Sequence, residues 1–235
     1  MIYNFQICNT DTDSISFCTE NQKYIVKRAR EELVKEINEI SPEFMEWADD
    51  GYYKKFIILK AKNYITQDED GKVKYKGSGL KSSKLEPALK EFLYKIIDSI
   101  LNETYNYSEI YQEYVNEILN LKDIKRWVSK KTISNKTMTS ERSNETKIKY
   151  AIQGKEYVEG DKVSTYFKKD GSLSLIEDYK NDHDPEQLLG RLYSVSKIFT
   201  GKDQKTHGII PKETFLNYSL KKNFKLLQEF GNIKK

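Results

Sequence analysis

Two acids, Asp11 and Asp13, stand two residues apart in Asn9-Thr10-Asp11-Thr12-Asp13-Ser14, at the end of an apolar, strand-like stretch. Side chains alternate along an extended strand, so this spacing predicts both carboxylates on one face. Two like charges about 7 Å apart repel unless a cation lies between them. Hard carboxylate oxygens favour Mg²⁺, or Mn²⁺, over zinc. A calcium EF-hand is set aside, because Ser14-Ile15-Ser16-Phe17 continues as a strand where that loop needs a third oxygen ligand and a glycine.

The same pair fits an ordinary Asp-capped turn. It also fits a haloacid-dehalogenase-type phosphatase, with Asp11 as nucleophile and Asp13 as acid/base. That enzyme needs repeating β-α-β units and a later acidic pair near a strand end, and Asp49-Asp50 follows too soon in sequence to serve. His183 and His207, the only histidines, do not sit among cysteines at zinc-ligand spacing, and both read as surface residues. Cys8 and Cys18 can face each other across a hairpin that turns near Asp13, and are expected as two reduced thiols.

The elements that must position the acids are legible in outline. Residues 3–9 and 15–19 read as strands around the acidic turn, followed by Val26, Ala29, Leu33, Ile37 and Ile40 at helical spacing up to Pro42. Phe56–Leu59, Lys62–Ile65 and Lys72–Lys76 read as a hairpin with the polar turn Asp68-Glu69-Asp70-Gly71. After Gly77-Ser78-Gly79, Ser83 is placed to cap a helix whose stripe is Leu85, Leu89, Phe92, Leu93, Ile96 and Ile100. A second helix starts near Ser108, residues 124–143 read as a basic helix or loop, and residues 146–176 read as extended. Asp184-Pro185-Glu186-Gln187 is a helix opening, and a last helix is expected from about Lys212 to Gly231.

The 235 residues allow one large or two small domains. With 37% hydrophobic and 32% charged residues and no apolar run of about 20 residues, no membrane role is indicated. Met1-Ile2-Tyr3-Asn4-Phe5-Gln6 enters the acidic motif without a basic leader or apolar signal segment, so a cytoplasmic location is expected. The net charge of +4 is unevenly spread. Residues 54–90 carry ten Lys against four acids, and residues 122–149 carry nine Lys or Arg against three, whereas residues 98–120 hold five acids and no base. A polyanion is the natural partner for the two basic segments.

The order of these features resembles the C-terminal part of family B DNA polymerases. Asp11-Thr12-Asp13-Ser14 looks like the signature that closes the palm hairpin. Ala61-Lys62-Asn63-Tyr64 is similar to the Lys-Lys-x-Tyr signature at the primer end, and Gly79-Leu80-Lys81 to the Gly-Leu-Glu-like lead into the thumb. Glu159-Gly160-Asp161-Lys162-Val163 looks like a recurrent thumb segment. The chain departs from the family at Asn9, Thr10, Ala61 and Lys81. The resemblance implies an α+β fold: a partial palm of antiparallel sheet with helix over residues 1–82, then a mainly helical thumb with a few short strands over 83–235.

It also implies a DNA-directed DNA polymerase activity using a two-metal Mg²⁺ site, with Mn²⁺ an alternative. Asp13 is then the bridging ligand, Asp11 the less central acid, and Thr12 a nucleotide contact. Lys62, Tyr64, Gly79 and Lys81 are expected at the primer–template, and Lys125, Arg126, Lys130 and Lys131 on the duplex backbone. The first palm signature, the fingers signature and the exonuclease acids are not found, so the resemblance calls for a second polymerase chain that supplies them. Deoxynucleoside triphosphates and primer–template DNA are the other expected partners. A naturally split, phage-type polymerase, working in the host cytoplasm, is the arrangement this implies, and a fragment of a longer polymerase fits the same features. The alternative is a noncatalytic DNA-binding accessory subunit.

Overall fold

The computed structural model describes residues 6–11, 13–18, 26–81, 85–139, 141, 143–201 and 208–232. The chain divides into two compact units, Met1–Lys81 and Ser82–Lys235. Among the described residues the strands form three small antiparallel sheets, two in the first unit and one in the second. The repeating β-α-β order that a haloacid-dehalogenase-type phosphatase needs is not what these antiparallel sheets provide.

In the first unit, β1 (Gln6–Asp11) and β2 (Ser14–Cys18) make a hairpin. The helix α1 (Lys27–Ile40) follows and ends ahead of Pro42. Of the apolar positions at helical spacing, Ala29 and Leu33 are buried with Ile37 packed on them, but Val26 and Ile40 are 60% and 85% exposed. The helix is pinned to the loop after it by polar contacts. Asn38 donates to the Trp47 carbonyl at 2.9 Å and accepts from its N–H at 2.7 Å, while Arg30 pairs with Asp49 at 3.0 Å.

Where the sequence reads as one hairpin, the structure forms a three-stranded meander of β3 (Lys55–Lys60), β4 (Asn63–Gln67) and β5 (Val73–Lys76). Register places Ile57, Ile65 and Tyr75 side by side, and Ile65 is fully buried. The short helix α2 (Ser78–Lys81) then packs against β4 and β5, with Leu80 buried.

The second unit is built on three helices, α3 (Pro87–Leu101), α4 (Tyr107–Leu119) and α7 (Pro185–Thr200). Leu89, Phe92, Leu93, Ile96 and Ile97 of α3, Tyr111, Tyr114 and Ile118 of α4, and Leu189, Leu192 and Phe199 of α7 are buried. Each buried leucine or isoleucine contributes about 1.5–3 kcal/mol relative to exposure. The first helix starts at Pro87, three residues later than the Ser83 cap predicts, because proline needs no N–H partner at the first helical position. Ser83 lies outside the described residues.

The segment read as a basic helix or loop contains a strand. A short 3₁₀ turn, Ile124–Trp127, leads into β6 (Ser129–Thr132), which pairs with β7 (Lys162–Phe167), itself paired with β8 (Leu173–Leu175). Between them lie α5 (Asn135–Thr139) and α6 (Ser143–Ala151), so the stretch after 146 begins as helix. Ile133, Ile152, Val163 and Leu175 form a separate small core there. The last helix, α8 (Lys221–Asn232), starts nine residues after Lys212, which opens only a 3₁₀ turn.

Candidate metal and nucleic-acid site

The acidic motif closes the β1–β2 hairpin. Asp11 is the last residue of β1 and pairs with Ser14, the first of β2, so the chain reverses in the two-residue link that holds Asp13. Asp13 is therefore a turn residue, exposed to solvent, and strand alternation does not relate the two acids as their spacing predicts. The reason is geometric: a two-residue link is among the shortest hairpin connections and turns the chain before a second strand position is reached. Thr12 and the Asp11 side chain lie outside the described residues. A register shift between Ile7 and Asn9 puts Cys8 in a bulge. Cys8 and Cys18 are free thiols, and burial together with the neighbouring Cys18 raises the Cys8 thiol above its ordinary range.

The donor chemistry suits a hard divalent cation, which takes carboxylate oxygens. Two carboxylates are a partial set. Among the described residues no group of three or more His, Cys, Asp or Glu gathers to hold a metal ion, so further oxygens must complete such a shell.

Lys62 lies in the tight turn between β3 and β4 rather than on a strand, with φ +58°, in the left-handed region. Non-glycine residues adopt that region at a cost and need support. Asn63 supplies it. Its side chain, almost wholly buried, donates from Nδ2 to the Ala61 carbonyl at 3.0 Å and accepts at Oδ1 from the Gly79 N–H at 3.0 Å. Gly77, at φ +103°, lies against the same turn: a Cβ there would come within 2.3 Å of the Lys62 carbonyl oxygen and 2.5 Å of Asn63 Oδ1. Lys62 and Gly79, expected contacts from two separate segments, are thus joined through one amide. Lys81 closes α2, and its side chain lies outside the described residues. Tyr64 stacks on Phe56 with centroids 5.1 Å apart and planes 15° apart, which holds its ring in one orientation.

The four basic residues of the second unit that were expected on the duplex backbone differ in kind. Arg126 is committed internally: it meets Glu91 at 2.8 Å and Glu117 at 3.5 Å, and Glu117 also accepts from the indole N–H of buried Trp127 at 2.9 Å. Lys125 is exposed on a turn that Asp123 caps through the Lys125 N–H. Lys130 and Lys131 are exposed on β6, an edge strand, and their register opposite Ser164 and Val163 sends them to opposite faces of the sheet. Edge lysines also block strand-to-strand aggregation.

Glu86, just ahead of α3, is a further charged group that the sequence did not single out. Its nearly buried carboxylate accepts from Arg191 through Nε at 3.1 Å and Nη2 at 2.9 Å, and from Ser129 at 2.9 Å. Burial acts to raise its pKa, but the Arg191 hydrogen bonds and charge, its own backbone and Ser129 outweigh that and hold it below the ordinary glutamate value. His183 is half-buried rather than a surface residue. Its Nδ1 is 2.9 Å from the Tyr179 hydroxyl, and burial, with the charge of Lys169, lowers its pKa. His207 lies outside the described residues.

No family model matches the sequence, and no curated protein matches it. Solved structures do. The family B DNA polymerase from the hyperthermophilic archaeon Pyrobaculum calidifontis superimposes with a TM-score of 0.63 at 15% identity, over 86% of this chain and 28% of that one. The fold is therefore a mixed α/β arrangement of small antiparallel sheets and helices like the part of that polymerase on which it superimposes. The chain spans little more than a quarter of the polymerase's length. No helix among the described residues is long and apolar enough to cross a membrane.

Proposed function

We propose that this chain provides part of the palm and the thumb of a family B DNA-directed DNA polymerase, with its active site completed from outside these 235 residues by a second polymerase chain. One observation carries the reading. On a polymerase-like fold, the Asp11–Asp13 turn is followed in order by the Lys62–Tyr64 turn locked to Gly79, the order in which the family places its metal-binding and primer-contacting segments.

In this reading Asp11 and Asp13 offer their oxygens to Mg²⁺ or Mn²⁺, and Thr12 lies beside the incoming nucleotide. The chemistry a bound metal pair supplies is Lewis-acid stabilisation of charge on the phosphoryl oxygens. Lys62 neutralises a primer phosphate, Tyr64 gives a stacked, immobile surface beside it, and the Gly79–Lys81 backbone follows the strand. Lys125, Lys130 and Lys131 add sequence-independent attraction to the duplex backbone.

A noncatalytic DNA-binding subunit is the second reading. It is favoured by the incomplete ligand set at the acidic turn, since the basic segments would bind DNA without it. The two separate in primer extension by tagged chain co-purified from its native source, wild type beside Asp13→Asn. Extension lost in the variant, with a second polypeptide in the eluate, supports the polymerase. Retained primer–template binding without extension in either protein supports the accessory subunit.

A further inference from the structure

We infer that Asn63 is a positioning residue that binds the Lys62 turn and the Gly79 segment into one primer-contact unit. The inference rests on the function proposed above for Lys62 and Gly79. Asn63 occupies the variable position of the primer-contact signature, where no role follows from the residue pattern, yet its amide is the best-buried polar group of that turn.

Its two hydrogen bonds run in different directions. The Nδ2 donor closes the turn on Ala61, one residue before Lys62, and the Oδ1 acceptor holds the Gly79 N–H, 16 residues further along the chain. Gly77 fills the remaining space, with no room for a Cβ between it and the Lys62 carbonyl. Lys62 itself sits at a left-handed φ that an unsupported lysine leaves readily. The Lys62 backbone is therefore fixed on one side by Asn63 and on the other by Gly77. A change at Asn63 therefore moves the point from which the Lys62 side chain starts, without removing its ammonium group.

A buried asparagine in a turn can also serve only to satisfy backbone groups. The distinction is whether its effect on DNA passes through Lys62. The test compares wild type, Lys62→Ala, Asn63→Ala and the double variant, each co-purified with its native partners, by amide exchange at Gly79 and by primer–template affinity across salt concentrations. Asn63→Ala is expected to speed Gly79 exchange and to weaken binding about tenfold, the scale of one charge-assisted contact. Its salt slope should fall by about one, as for a lost lysine–phosphate contact. Lys62→Ala should match that loss with Gly79 still protected, and the double variant should bind no worse than Lys62→Ala alone.

Additive losses, or unchanged affinity in Asn63→Ala despite faster Gly79 exchange, would overturn the positioning role and leave a structural asparagine. Should Asn63→Ala fail to fold, Asn63→Asp keeps the acceptor for Gly79 and loses the donor to Ala61; binding losses that add to those of Lys62→Ala in that variant overturn the positioning role. If wild type binds no primer–template, the polymerase reading falls and Asn63's role toward DNA falls with it. The exchange measurement then still reports on the clamp by itself.

Discussion

Arg191 on α7 grips Glu86 at the threshold of α3 with two hydrogen bonds, of 3.1 and 2.9 Å, across 105 residues of sequence, and Ser129 at the head of β6 joins the same carboxylate. Three elements of the second unit thus converge on one nearly buried charge. Arg191→Ala leaves that carboxylate without its cation and should cost about 3 kcal/mol, the low end for breaking a buried pair because Arg191 is partly exposed. Glu86→Gln should cost less, since an amide oxygen still accepts from Arg191 and Ser129. Urea unfolding of the three proteins checks the order. The pH dependence has a definite sign. The folded-state pKa of Glu86 is depressed, so its stabilisation is complete above the ordinary glutamate range and is lost as pH falls through the depressed value. The acid limb of the unfolding curve should flatten in Glu86→Gln.

Gly77 should tolerate no side chain. Alanine there meets the Lys62 carbonyl oxygen at 2.3 Å and adopts φ +103°, so both steric clash and backbone strain oppose it. Gly77→Ala is expected to destabilise the first unit by about 2–3 kcal/mol. Gly71→Asn is the control: its φ of +80° suits asparagine better than other side chains, and no atom lies within 4 Å of a Cβ there. Thermal melts of the two variants should differ clearly, with Gly71→Asn near wild type.

The elements that were legible from sequence are those whose local signals agree with their packing. The α3 stripe from Leu89 to Ile97 has helical spacing and is buried as that spacing requires. Residues 129–132 misled because Ser-Lys-Lys-Thr carries no apolar alternation; an edge strand with little burial needs none, and its pairing with β7 comes from the partner strand. The hairpin around Asp11 and Asp13 was legible, since residues 3–9 and 15–19 read as strands around an acidic turn, but the placement of both acids on one strand face was not, because Asp13 falls in the turn itself. Asn63 and Gly77 were hidden for another reason. Their roles depend on β5 returning to β4, and only the positive φ at Lys62, which no local pattern announces, reveals how tightly they meet.

Asp184 caps α7 as its sequence announces. Its carboxylate accepts from the N–H groups of Glu186 at 2.9 Å and Gln187 at 3.3 Å, with Pro185 at the first helical position. Asp184→Ala should cost about 1 kcal/mol and Asp184→Asn only a few tenths, because asparagine retains the acceptor oxygen. Equal losses in the two variants, measured by urea unfolding, would mean that the negative charge beside the helix N-terminus matters more than the hydrogen bonds.

Lys125, Lys130 and Arg126 are neighbours in sequence with different tasks, and salt separates them. Lys125 and Lys130 are exposed, so Lys125→Ala and Lys130→Ala should leave the unfolding midpoint unchanged. If each meets a phosphate, each substitution should lower the slope of log affinity for primer–template against log salt by about 0.9. Arg126→Ala should do the reverse. It removes the guanidinium from Glu117 and from Glu91, which keeps only Lys95 at 3.7 Å, and loosens the Glu117 contact with the Trp127 indole, so it should cost about 1 kcal/mol of stability, reduced by partial exposure. Its salt slope should stay at the wild-type value, because a guanidinium already held by two carboxylates releases few counterions when DNA arrives. A full loss of slope in Arg126→Ala would instead place that side chain on the DNA.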